Sequence, residues 1–592
     1  MRRFSLKTIF ILFIVISIPL GGLAWRMKRA KQQKAAFERV TTLFSEHNAI
    51  VYDFQLSGKS TGYFERFGFR DSDESLTPKV PTWLVDRFGV DFFGSVTDLS
   101  IDHGSIDDYS DLISLGNIEL LFADDLEIKD LKFLENCDRL QRLNVSGNPI
   151  SDLEPLRSKP LTHLYVSGTK VTSLKPIEHA NGLRFLNCSS CPITDLGPIS
   201  NMYELEILEA LQTQVEDFSP LAKLTALKEL NITELGESTS EHLSGLTSLK
   251  SLWIDGEDLD QGHGISIEFL RGLTNIEELR LYNVDATDLS AIGQLKKLRL
   301  LNIHSPNVVD ISELRNLELL EEINLTCPKV TAIPDLSTLA RLKTLSLEMP
   351  QVTDWSGLSR LTSLYSLSIF GAPEIAELNL KNLTALRKLR VDDAPLLEHV
   401  EFGSTQFEMI DLSDSNISDI SNFETFNRLD QLFLARTKVV DFSPLKNVPY
   451  METLSLAETS IKDLSLLPRI SGEFTSLTLD DTPASDLTPL TKGFFCYTLS
   501  LEGMDIKDFK VLEKIYVEYS LNLSGTKIED LNVLTKMSSL EHIGLNNTKV
   551  RDLSPLYKLK DLRRVELKGT QVSAEAVKQL KEALPECYVE IE

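Results

Sequence analysis

Cysteine, tryptophan and histidine are scarce: six, four and nine in 592 residues. Six cysteines in so long a chain cannot form a disulfide scaffold of the kind that holds small secreted domains together. The nine histidines give no His-Glu-x-x-His, no His-x-His and no visible triad, so the usual zinc and nucleophile signatures are missing. Neither an enzyme nor a cofactor-binding protein is expected. What the chain does have is apolar surface to bury, with 42% hydrophobic residues beside 25% charged ones. Its formal charge is −26. Residues 1–40 hold nine basic residues and one acid, which leaves the remainder at −34. So acidic a body repels phosphate backbones, so nucleic acid is not an expected partner.

The basic N-terminus surrounds an uncharged run from Thr8 to Trp25. Eighteen helical residues rise ~27 Å, enough for a thin bilayer. A single-pass membrane anchor over 1–29 is the favoured reading, with the cell envelope preferred over the cytoplasm. Gly22-Leu23-Ala24 after Pro19 resembles a cleavage region, so a removed signal peptide is the rival. Basic residues on both flanks leave the orientation open. Residues 30–95 read as a juxtamembrane helix and a small α+β cap. The cap contains a hairpin around Gly58–Gly62 and a helix in Pro81–Phe93. Ser57-Gly58-Lys59-Ser60 lacks the earlier glycine of a P-loop, where Asp53 stands, and reads as a turn.

From Val96 the chain repeats about every 22 residues, as in "LQRLNVSGNPISDLEPLRSKP" from Leu140 and "LEHIGLNNTKVRDLSPLYKLKD" from Leu540. The shared pattern is L-x-x-L-x-L-x-x-(T/N)-x-(V/I)-x-D-L-S-P-L, and 22 units fit between Val96 and Thr570. The pattern resembles the leucine-rich repeat, most closely the short internalin-type unit, and the whole resembles N-terminally anchored bacterial repeat proteins. That resemblance implies a non-enzymatic, protein-binding scaffold. The unit's own physics agrees on the fold. The L-x-L alternation makes one short strand with one apolar face, which only stacked neighbours can bury. The expected fold is an α/β-type solenoid: a curved parallel sheet on the concave side, single turns or 3₁₀ pieces on the other, and a C-terminal cap over 571–592. A central leucine such as Leu345 belongs to its core.

Fifteen of the 22 units carry Asp before the Ser-Pro, for example Asp152, Asp195, Asp441 and Asp552. Such a side chain can cap the amides of the next turn; a calcium-binding acid ladder is the alternative. The register also places the one Cys-x-x-Cys pair. Cys188 falls on an apolar slot and Cys191 on the Thr/Asn slot, both facing inward, which favours packing over redox or zinc chemistry. His163 and His304 project from the outer face of the sheet but lie six repeats apart, ~29 Å at strand spacing, too far for one site.

One unit, Leu249 to Asn275, is longer than its neighbours, the excess lying in "DGEDLDQGHGISIEF", which lacks the order of an EF-hand loop. Around it the outward strand positions are large: Tyr165, Phe185, Leu211, Trp253, Tyr282, Tyr365 and Phe370, with His304 between. Toward the C-terminus they become small and polar, as at Ser455, Thr478, Ser500, Asn522 and Gly544. Exposed apolar clusters mark binding faces, so a protein partner is expected there, with an envelope polysaccharide as the alternative. Trp253 and Tyr282 are expected in contact. Asp255, Glu257, Asp258, Asp260, Glu277 and Glu278 would favour a basic partner.

Overall fold

The computed structural model describes residues 27–28, 30–31, 50–52, 96–101, 118–233, 240–256, 266–284, 286–448, 451–467, 473–491 and 494–591. The anchor, most of the cap with its hairpin, and residues 257–265 of the long unit lie outside that set. The chain divides into two compact units, Met1–Leu281 and Tyr282–Glu592.

In the first unit Val96–Ser100 opens a parallel ladder that runs through Leu120–Phe122, Arg142–Asn144, His163–Tyr165, Phe185–Asn187, Ile207–Ala210, Glu229–Thr233 and Ser251–Asp255. Glu278–Tyr282 is the ninth repeat strand. Ile50–Tyr52 pairs antiparallel with Val96–Ser100, covering an edge that would otherwise present unpaired backbone groups. The register sets leucine on leucine: Leu121, Leu143, Leu164, Leu186, Leu208, Leu230 and Leu252 face one another in turn, and each is fully buried.

The second unit repeats the scheme with thirteen strands from Leu300–His304 to Arg564–Glu566. Among the described residues the two units thus hold one ladder strand for each of the twenty-two sequence units. Leu345 lies between Ile323 and Leu367 with no exposed surface. Helix Ala574–Ala583, capped by Ser573 Oγ, buries Val577 and Leu580 and leads to Tyr588–Glu590, which adds a further parallel strand beside Arg564–Glu566.

Many of the strands end where one residue turns left-handed. That residue is Gly147, Gly168, Ser190 and Gln212 in successive units of the first half, and Arg436, Glu458, Asp481, Gly503, Gly525, Asn547 and Gly569 in the second. Glycine is required where the previous unit crowds the turn: a Cβ on Gly147 would fall 1.8 Å from Asp125 Oδ1.

Opposite the strands run short 3₁₀ turns, and the aspartates cap them. Fifteen Asp side chains accept the N–H two residues on, at 2.6–3.0 Å. Proline sits in the first turn of Glu154–Leu156, Ser443–Asn447 and Ser554–Lys558, where a missing N–H costs nothing. Two neighbouring units differ. Around "EIAELNLKNL" and "LLEHVEFGST" the Asp-x-Ser-Pro sequence is absent, and Glu377–Leu380 and His399–Phe402 form a two-stranded parallel sheet instead.

Candidate functional site on the outer face of the sheet

The inward face offers no accessible thiol. All six cysteines are unpaired and buried. Cys188 has no exposed surface, and burial pushes its thiol well above the ordinary range. Cys191 fills a threonine slot but bonds across to the preceding unit. Its Sγ donates to the Val166 carbonyl at 3.0 Å and lies 3.3 Å from Thr169 Oγ1, whose hydroxyl donates to the same carbonyl. Thr437, Thr459, Thr482, Thr526 and Thr548 make the bond of Thr169, to the carbonyl three residues back, in their own units. Among the described residues no group of three His, Cys, Asp or Glu side chains could hold a metal ion. His163 lies against Phe185, ring centroids 6.1 Å apart, and burial together with Arg142 and Arg184 lowers its pKa to about 4.

Two-residue alternation of the strands and a 22-residue register of stacked leucines define the architecture. It is the internalin-type leucine-rich repeat fold. Among solved structures the solenoid is similar to the functional domain of InlJ from Listeria monocytogenes, which includes a cysteine ladder. Identity there is 19%, over 64% of this chain and 76% of that one, with a TM-score of 0.43. A leucine-rich repeat protein of Leptospira interrogans, LIC12759, is 18% identical over 83% of this chain and all of its own, with a TM-score of 0.33. TLR13, solved with a single-stranded RNA, is 19% identical over 84% of this chain and 73% of its own, with a TM-score of 0.45. At such identities the likeness is one of fold. No family model and no curated protein matches the chain.

The outer face of this leucine-rich repeat sheet holds the large side chains expected from the sequence, but with unequal exposure. Tyr165 and Phe185 are a correction: they are only 4% and 3% exposed. Their ring centroids are 4.3 Å apart, and Phe122 joins them at 6.4 Å from Tyr165. Rings so enclosed contribute packing rather than contact area. Leu211 is half-exposed in the turn after its strand, where its carbonyl accepts the Ser190 N–H. Trp253 is half-buried in mid-strand, opposite Asn231.

In the second unit, Tyr282 is half-buried and its hydroxyl accepts a 2.7 Å hydrogen bond from Asn302 Nδ2. His304 ends its strand half-exposed. Tyr365 is 39% exposed and donates its hydroxyl to Glu408. The Arg390 guanidinium lies 5.2 Å from the centre of the Phe370 ring. Trp253 belongs to the first compact unit and Tyr282 opens the second.

The acidic rim is partly neutralised. Glu277 pairs with Lys250 at 3.0 Å and Glu278 with Arg280 at 3.1 Å, while burial raises the pKa of Asp255. Glu257, Asp258 and Asp260 fall outside the described residues. The same rim column carries other charge pairs, Lys228 with Glu206 in the first unit and Arg299 with Glu321 in the second.

Sequence reasoning missed a second aromatic group. Tyr497 and Tyr519 stack in parallel planes 4.8 Å apart, and His542 continues the row 4.7 Å beyond Tyr519. Phe495 and Tyr516 stack beside them at 5.0 Å. Tyr497 lies before the L-x-L alternation of its unit, and the facing strand carries an extra residue between Val517 and Ser520, which hid the pair. The signal was still present, since Tyr497 and Tyr519 are spaced like the leucines, one repeat apart.

Proposed function

We propose that the protein is a non-enzymatic interaction scaffold that binds a protein partner on the outer face of its leucine-rich repeat sheet, tethered to a membrane by residues 1–29. The observation that carries the binding reading is the set of partly exposed large side chains on or beside the outward strand positions: Trp253 in the first unit, and Tyr282, His304, Tyr365 and Phe370 in the second. Tyr282, Tyr365 and Phe370 are already oriented by Asn302, Glu408 and Arg390, so little side-chain freedom is lost on binding. Tyrosine and tryptophan are also the residues most often found to dominate interface energetics. The anchor reading rests on the uncharged run from Thr8 to Trp25. No helix among the described residues is long and apolar enough to cross a membrane, and that run is not among them.

The test is to probe protein and glycan arrays with the soluble body, residues 41–592, and to repeat the capture with Trp253→Ala and Tyr282→Ala. Each variant is expected to weaken binding to a captured protein by ~2 kcal/mol or more while the solenoid stays folded. Wild-type affinity in both variants would remove the central face from consideration. Capture by glycans alone would replace the protein partner with an envelope polysaccharide.

A further inference from the structure

Among the described residues, the stacked rings of the last repeats differ from the charge-paired stretches of the rim in how they are flanked. Elsewhere the rim column spends its carboxylates on neighbouring cations, as in Lys250–Glu277, Arg299–Glu321 and Lys388–Glu408. At the aromatic rows the column changes to Tyr519 and then Glu541, linked by the Glu541 N–H to the Tyr519 carbonyl. Glu518 adjoins Tyr519 in sequence. Among the described residues neither Glu518 nor Glu541 has an ion-pair partner, and both are half-exposed. Tyr497 and Tyr516 are 43% and 45% exposed, high values for large rings on a strand.

The rings are held before any partner arrives. Each stack covers one face of each ring, the Tyr519 hydroxyl lies 3.1 Å from His542 Nε2, and Tyr516 reaches Ser539 Oγ at 3.3 Å. What remains open is the uncovered face of Phe495, Tyr497 and Tyr516, with ring hydroxyls, beside two unneutralised carboxylates. Sugars also stack on ring faces, but carboxylates without a cation favour a cationic occupant. Open ring faces attract the cationic heads of lysine and arginine, and their aliphatic stems lie along the rings. Arg564, whose guanidinium lies 5.9 Å from the centre of the exposed Tyr588 ring and pairs with Glu566 and Glu590, shows the same combination within the chain.

We propose that Phe495, Tyr497, Tyr516 and Tyr519, with Glu518 and Glu541, form a second docking surface, and that its occupant is a Lys/Arg-bearing segment of a partner protein. The inference does not rest on the central face around Trp253. The net charge of −26 brings a basic segment toward the solenoid from any direction; the ring rows and the two free carboxylates fix where it settles.

The full-length protein is titrated at physiological salt with a dodecapeptide of alternating arginine and alanine, with its glutamate counterpart, and with a neutral glucose hexasaccharide. The arginine peptide alone is expected to bind. Tyr497→Ala/Tyr519→Ala, which changes no charge, is expected to weaken it about tenfold or more. Glu518→Gln/Glu541→Gln should weaken it and flatten its salt dependence. The control Glu135→Gln/Glu216→Gln, which removes two exposed carboxylates from the first unit, should stay within about twofold, as should Trp253→Ala. Wild-type affinity in the tyrosine pair, equal losses in the control, no peptide binding, or hexasaccharide binding in its place would each overturn the proposal. Should the tyrosine pair fail to fold, Glu518→Gln/Glu541→Gln measured against its control decides alone.

Discussion

Two groups of aromatic rings sit at outward positions of the same repeat and end in opposite states. In the first unit, Phe122, Tyr165 and Phe185 lean on one another at tilted angles and are at most 5% exposed. In the second, Tyr497 and Tyr519 lie in parallel planes, and Tyr497 is 43% exposed. The strands explain part of the contrast. Those of the first group are three residues long, and their rings pack on one another across neighbouring strands. The later strands are six and seven residues long, and they carry Tyr497 and Tyr519 ahead of the L-x-L alternation, in the rim column. A repeat therefore assigns a side chain to a face, but the neighbouring strands decide whether that face is open at that point.

The largest test of the contrast is a truncation on the enclosed side. Phe185→Ala should cost ~3–5 kcal/mol, the loss expected when a buried ring leaves a cavity. Nearest-neighbour stacking makes the damage local, so hydrogen exchange should accelerate in the strands around Phe185 and remain unchanged near Tyr519. A loss no larger than that of an exposed substitution would mean that the first group is as open as the second.

Much of this could be read in the sequence, for a physical reason. The inward positions of a solenoid all solve one problem, so Leu143, Leu345 and Ile543 carry the same signature, and the count of units followed from it. The fifteen capping aspartates were equally legible, because a cap needs one acceptor at one spacing. So were Cys188 and Cys191, once the register placed them inward. Outward positions answer to no shared constraint. The burial of Tyr165 and Phe185 depends on rings in adjacent units, the neutralisation of Glu277 depends on Lys250 one unit away, and the stack at Tyr497 lies outside the L-x-L alternation, beside an extra residue in the facing strand. The paired strands at Glu377–Leu380 and His399–Phe402 have no such signature: units with Ser173 or Ser266 in place of the aspartate keep the 3₁₀ turn.

A smaller effect should separate the capped turns from that uncapped pair. Hydrogen bonds from the Ser443 and Ser465 amides and hydroxyls hold the Asp441 and Asp463 carboxyls below the usual carboxylate range. A pKa depressed on folding stabilises the folded state above the unfolded value, about 3.9, and that contribution is lost as pH falls through the folded value. The stability of the capped turns should therefore decline below about pH 4. Asp441→Asn keeps the acceptor but removes the charge, so it should change little at neutral pH and flatten the local acid response. Exchange rates across Ser443–Asn447, followed from neutral pH into acid, report it; an unchanged acid slope in the variant would show that the carboxylate does not stabilise the turn. The segments 377–380 and 399–402, which lack such a cap, should show no matching dependence.

The smallest effect on stability belongs to the exposed stack, and it completes the contrast with Phe185. Tyr497 has one ring face on Tyr519 and much of the rest in water, so truncation removes one stacking contact and leaves no cavity. Tyr497→Ala should fall within about 0.5 kcal/mol of wild type in a denaturant titration, the range of ordinary surface substitutions. Tyr497→Phe, which retains the ring, should be indistinguishable from wild type. A loss for Tyr497→Ala approaching that of Phe185→Ala would mark the stack as a structural element, the outer counterpart of the leucine core. A small loss leaves its exposed apolar surface without a folding role, which is the condition under which such a surface is retained for a partner.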